Sequence, residues 1–133
     1  MTQNEKDLLL KDLCARLPYG VVIQEKCVEY DKTFLPNKEV DTLVNIDIHA
    51  NSLMTNCGSL YYLDEVKPYL FPLSSMTDEQ KKEYANLLVY TSSVEMIQIT
   101  GESAYDWLNK NMFDWRGLIP MGLAIDATNL NIY

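Results

Sequence analysis

The run from Thr42 to His49 constrains the fold more than any other stretch. Val44, Ile46 and Ile48 alternate there with Asn45, Asp47 and His49. A period of two puts the apolar residues on one face of a strand and the polar ones on the other. A strand with one wet face belongs to a sheet covered on one side, which is usually antiparallel. Neighbouring segments supply partners. Val21 to Tyr30 is rich in β-branched residues and reads as a strand. Lys32 to Asp41 contains Pro36 and Asn37 and reads as a connecting loop. After a turn at Asn51–Ser52, Leu53 to Tyr62 gives a third strand, with Gly58 marking a bulge or bend. Short links between such strands predict an antiparallel meander.

Helices surround this meander. Leu10, Leu13, Cys14 and Leu17 lie at i, i+3, i+4 and i+7 and predict an amphipathic helix from Thr2 to Leu17. Glu5, Asp7, Lys11 and Asp12 then form its wet side, and Pro18 stops it. Pro68 and Pro72 exclude a long regular helix between Leu63 and Met76, whose apolar residues pin the segment across the core. Thr77 and Gln80 have capping-box spacing and predict a helix to about Val89, with Tyr84, Leu87 and Leu88 inward. Val94 to Thr100 reads as a short strand. Glu102 to Met112 reads as a third helix with Tyr105, Leu108 and Met112 on one stripe. A last short strand is expected near Leu123 to Ala127. The expectation is one α+β domain over residues 1–133: a small antiparallel β-meander, open or closed into a barrel, packed with about three helices.

Length and composition agree. A chain of 133 residues with 47% apolar and 23% charged residues can bury a core without metals or disulfides. No run approaches the roughly 18–20 apolar residues of a membrane span. The opening MTQNEKDLLLKDL lacks the basic and apolar regions of a secretory signal, so the expected compartment is the cytoplasm. The chain has 19 acidic and 11 basic residues, a net charge of −8. Phosphate backbones bind largely through Lys and Arg that displace counterions, so direct nucleic-acid binding is disfavoured, as is an anionic membrane. Cys14, Cys27 and Cys57 form no CxxC, and their odd number fits buried thiols in a reducing compartment.

Catalytic signatures are missing. The chain has no GxSxG, no Walker A run and no GxGxxG. His49 is its single histidine. A small hydrolase using it would need His49 in a concave pocket beside a carboxylate. Asn45, Asp47 and His49 could share one metal on a strand face, although a plain wet face has the same pattern. The expectation is a non-catalytic protein without a cofactor or metal.

Trp115 and Arg116 follow the third helix in a segment that reads as a loop. Trp and Arg dominate binding hot spots, and Arg pairs with phosphate or carboxylate in a fork. With Lys67, Tyr69 and Tyr19 they are the expected ligand- or partner-binding residues. A core role for Trp107, Phe113 and Trp115, with Arg116 paired to Asp114 or capping a chain turn, is the alternative. Nine tyrosines favour an interface, including self-association into a homo-oligomer.

Three stretches, KDLCARLPYGVV, VKPYLFPLSSMTDEQKKE and YDWLNKNMFDWRGLIPMGLAIDATNLNIY, carry a resemblance. They resemble a family of short uncharacterised proteins encoded by gut Bacteroidales and their phages and mobile elements. The resemblance covers the beginning of the chain, Val66 to about Glu83, and Tyr105 to Tyr133. It implies a small accessory protein and carries over no activity and no site residue. In that context the expected role is to oppose host defence, by sequestering an anionic nucleotide-type ligand or by masking a host protein. The alternatives are a nucleic-acid-mimicking inhibitor of a basic host enzyme, which needs a continuous carboxylate stripe, and a structural accessory protein.

Overall fold

The computed structural model of the protein describes residues 1–25, 40–90 and 103–133. The strand expected over 94–100, the loop over 32–39, the far half of the first strand and Cys27 lie outside the described residues. Among the described residues there are six strands, β1 (Val22–Glu25), β2 (Val40–Asp47), β3 (Ser52–Thr55), β4 (Leu60–Tyr62), β5 (Val66–Leu70) and β6 (Ile125–Asp126). The α-helices among them are α1 (Gln3–Arg16), α2 (Asp78–Tyr90) and α3 (Ala104–Lys110). Among the described residues no helix is long and apolar enough to cross a membrane.

The expected meander is present. Strand order is β4-β3-β2-β1-β5-β6, antiparallel except for the β5–β6 pair. The sheet ends in two edges, β4 and β6, so it is open and not a barrel. Its β5 is the proline segment expected to pin the core, and Pro68 sits within that strand opposite Ile23. A proline cannot donate to a ladder. It is accommodated because β6 pairs only with Tyr69 and Leu70.

Strand β2 departs from the simple alternation. Leu43 pairs with Thr55 and Asn45 with Met54, leaving Val44 as the extra residue of a β-bulge. The bulge reverses side-chain parity. Leu43 is buried and Ile46 packs on the core, whereas Val44 and Ile48, expected inward, are exposed. Leu53 to Tyr62 is likewise two strands of a hairpin, not one. Gly58 turns the chain at φ +88°, a left-handed conformation that suits glycine. In that turn the Cys57 amide donates to the Asp41 carboxylate at 3.0 Å. The Cys57 thiol and amide together hold the Asp41 carboxyl down at about 2.

Helix α1 starts with a capping box. The Glu5 amide donates to the Thr2 hydroxyl and the Thr2 amide to the Glu5 carboxylate. Its buried face is Leu9, Asp12, Leu13 and Arg16. That is the expected spacing rotated by about one residue, and it carries Asp12 inside rather than on the wet side. Leu9 and Leu13 join Val21, Ile23, Leu43, Leu53, Val66 and Leu70 in the main core between α1 and the sheet.

The second layer is aromatic. Trp107 of α3 stacks on Phe113 with ring centroids 5.7 Å apart and on Tyr84 of α2 at 5.9 Å. Its indole N–H donates to Glu83. Tyr84 and Leu87 pack on this cluster as expected, whereas Leu88 is exposed. Both helices are capped, α2 by Thr77 and Gln80 and α3 by Ser103 and Asp106. Helix α3 is shorter than the expected Glu102–Met112, and Tyr105, expected inward, is exposed.

Candidate functional site

Helix α3 ends in a Schellman motif. The Phe113 amide donates to the Leu108 carbonyl at 2.9 Å and the Met112 amide to the Asn109 carbonyl at 3.2 Å. The motif needs a left-handed residue, and here that residue is Met112, at φ +60°. Met112 is nonetheless 3% exposed and belongs to the main core. The chain then runs beside the end of β5. The Phe71 amide donates to the Met112 carbonyl and the Asp114 amide to the Phe71 carbonyl, each at 2.8 Å.

This junction forms one wall of a cavity of about 430 Å³. Aromatic walls come from Tyr19, Phe71, Phe113 and Tyr133. Ser75 and Gln80 enter from the start of α2 and the turn before it. Lys110, Asn111 and Met112 enter from the end of α3, and Thr128 and Asn129 from the chain after β6. None of these lining side chains is a carboxylate. A second hollow, of about 390 Å³, is lined instead by Asp64 and Glu65 together with Lys6 and Tyr62.

The polar groups of the first cavity are set by local bonds. The Ser75 hydroxyl donates to the Pro72 carbonyl at 2.7 Å, and the Thr128 hydroxyl donates to Asp126 at 2.6 Å. Both hydroxyl hydrogens are therefore engaged, and the oxygens remain as acceptors. The Asn111 amide donates one hydrogen to the Trp107 carbonyl. Lys110 is exposed and makes no ion pair among the described residues. The Tyr133 hydroxyl accepts from the Val22 amide at 3.0 Å and donates to the Tyr69 carbonyl at 2.7 Å. Burial pushes that hydroxyl up to about 12. Tyr133 therefore offers the cavity its ring rather than a titrating group.

A buried ion cluster stands behind this wall. Arg16 grips Asp12 in a fork, with Nε to Oδ2 at 2.8 Å and Nη2 to Oδ1 at 3.0 Å. Arg16 Nη2 also donates to the Phe113 carbonyl at 2.7 Å. Arg116 Nη1 donates to the same Asp12 Oδ1 at 2.7 Å. Two guanidinium groups thus share one carboxylate, and the cluster is positive overall.

Of the sequence-expected binding residues, only Tyr19 belongs to this cavity, and the others lie elsewhere. Arg116 is committed to Asp12, and its Cζ lies 4.0 Å over the Trp115 ring. Trp115 is half-buried, donates to Asn109 at 2.9 Å and packs on Tyr105 with centroids 4.8 Å apart. Tyr69 is fully buried, with burial raising its hydroxyl above the usual tyrosine value. Lys67 is half-buried on β5 opposite Gln24. Asp114, weighed as the partner of Arg116, instead accepts the amides of Leu118 and Ile119 at 2.7 and 2.8 Å and fixes the loop that carries Leu118 into the core.

His49 lies on the exposed turn beyond β2, and its backbone amide donates to Asp47 at 3.0 Å. Since β2 ends at Asp47, Asn45, Asp47 and His49 do not continue one strand face. Among the described residues no group of three or more His, Cys, Asp or Glu side chains is placed to hold a metal ion.

Sequence reasoning missed Lys110, Asn111, Gln80, Thr128, Asn129 and Tyr133. They come from separate segments, and no periodic pattern joins them. Compared with known protein families, curated proteins and solved structures, the chain gives no match.

Proposed function

We propose that this chain is a non-catalytic binding module that holds a small anionic ligand in the cavity between Tyr19, Lys110 and Tyr133. One observation carries the reading. On a chain of net charge −8, this cavity presents a lysine without an ion pair among the described residues and no side-chain carboxylate in its lining. The cavity's size falls near the lower end of the roughly 300–1,000 Å³ spanned by small-molecule sites. Aromatic walls with a few convergent polar groups are the usual lining of such sites. The biological setting belongs to the same proposal. A phage or mobile-element protein in the host cytoplasm would act by sequestering its ligand, which requires binding and no turnover.

Thermal unfolding tests the reading. The panel is inorganic phosphate, citrate, ribose 5-phosphate and the four common nucleoside 5′-monophosphates. A ligand at about a hundred times its Kd stabilises the folded state by about 2.7 kcal/mol. At least one panel member should therefore raise the midpoint by several degrees in the parent, and Lys110→Gln should remove most of that rise. Lys67→Gln, away from the cavity, should retain it. If no anion moves the midpoint, or if Lys110→Gln responds like the parent, the proposal fails.

A further inference from the structure

Resting on the anionic-ligand reading, we infer that the ligand is a nucleotide with a single phosphate, its base between Tyr19 and Tyr133 and its phosphate on Lys110. Three features lead there. The first is the aromatic pair. Tyr19 is 39% exposed and Tyr133 is 50% exposed, yet both line the cavity. The Tyr133 hydroxyl is fixed by two hydrogen bonds, which holds its ring in place. Partly exposed aromatic rings are the platforms on which bases stack.

The second is the set of amides. Gln80 accepts the Thr77 amide with its carbonyl oxygen at 2.9 Å. Its two amide hydrogens have no partner among the described residues. Asn111 keeps one amide hydrogen and its carbonyl oxygen after bonding Trp107. Asn129, held at φ +62°, adds a complete amide. Carboxamides offer a donor and an acceptor side by side, which matches the edge of a nucleobase. A sugar phosphate alone would leave most of these groups unused.

The third is charge. Lys110 is the sole cation among the lining residues. A triphosphate carries several negative charges into a molecule of net charge −8. One lysine offsets a larger share of a monophosphate's charge, about −1.5 to −2 at pH 7, than of a triphosphate's.

Calorimetric titration of the purified protein decides the matter. The probes are AMP, GMP, CMP and UMP, their triphosphates, and ribose 5-phosphate. At least one monophosphate should bind with one-to-one stoichiometry, at least tenfold more tightly than both its triphosphate and ribose 5-phosphate. Tyr19→Ala removes an exposed ring and spares the core. It should weaken that binding by about five- to a hundredfold, the range for loss of one stacking platform. Equal or tighter binding of a triphosphate, or equal binding of ribose 5-phosphate, overturns the nucleotide assignment and leaves the anionic-ligand reading standing. Unchanged affinity in Tyr19→Ala overturns it as well. Absence of binding by every phosphate overturns both.

Discussion

Asp12 is fully buried and accepts three hydrogen bonds from two guanidinium groups. The arrangement is asymmetric in its consequences. Removing the carboxylate leaves the buried Arg16 and the partly buried Arg116 facing each other, and breaking a buried pair in this way costs about 3–5 kcal/mol. Removing Arg116 leaves the Asp12–Arg16 fork intact. Urea unfolding should therefore place Asp12→Asn about 3–5 kcal/mol below the parent, with Arg116→Gln losing less than half as much. Equal losses would mean that Arg116, rather than Arg16, is the main partner of Asp12. The sequence hides this cluster because Asp12 and Arg16 stand at i, i+4 on a helix. That spacing ordinarily describes a weak surface pair. Nothing local indicates that Arg116, far along the chain, turns the pair inward. The same engagement explains why Trp115 and Arg116 attract attention in the sequence. Their residue types suit a binding hot spot, but here the guanidinium closes a buried ion cluster and stacks on its neighbouring indole.

Elements were legible where a periodic pattern or a cap set them. The meander and the helix after Thr77 follow from such signals. Elements were misread where one residue broke a period. The bulge at Val44 shifts parity by one, so Leu43 and Ile46 face the core together although they are three apart. The end of α3 is another break. A left-handed C-cap normally calls for glycine, and a methionine there gives no warning from sequence. Met112 is kept because its side chain is buried. Met112→Gly relieves about 1–2 kcal/mol of left-handed strain but strips a core side chain, which costs about 2–5 kcal/mol. The variant should be less stable than the parent in urea. Asn51→Gly is a control, since Asn51 is exposed at φ +52° in the β2–β3 turn. It should stay within about 1 kcal/mol of the parent. A stabilised Met112→Gly would show that strain, not packing, governs this junction.

At the scale of the whole molecule, the open sheet and its helices bring together chain segments that are remote in sequence. The cavity draws on the turn after α1, the end of β5, the start of α2, the end of α3 and the chain after β6. Of the ligand- or partner-binding residues expected from sequence, only Tyr19 reaches it. The fold class was legible because patterning is local, whereas this site was not because its aromatic and polar lining residues come from separate segments joined only by tertiary structure. Net charge acts at this scale too. An acidic surface repels anions generally, and the cavity lining, with one lysine and no side-chain carboxylate, departs from that surface.

The most direct measurement is a ¹⁵N–¹H correlation spectrum of the protein titrated with the four nucleoside 5′-monophosphates. The account predicts progressive shifts at the Gln80 and Asn129 side-chain amides and at the backbone amides of Lys110, Asn111 and Thr128, with the Trp115 indole signal unmoved. Shifts centred on the Trp115 indole and Arg116, or no shifts at all, would contradict it.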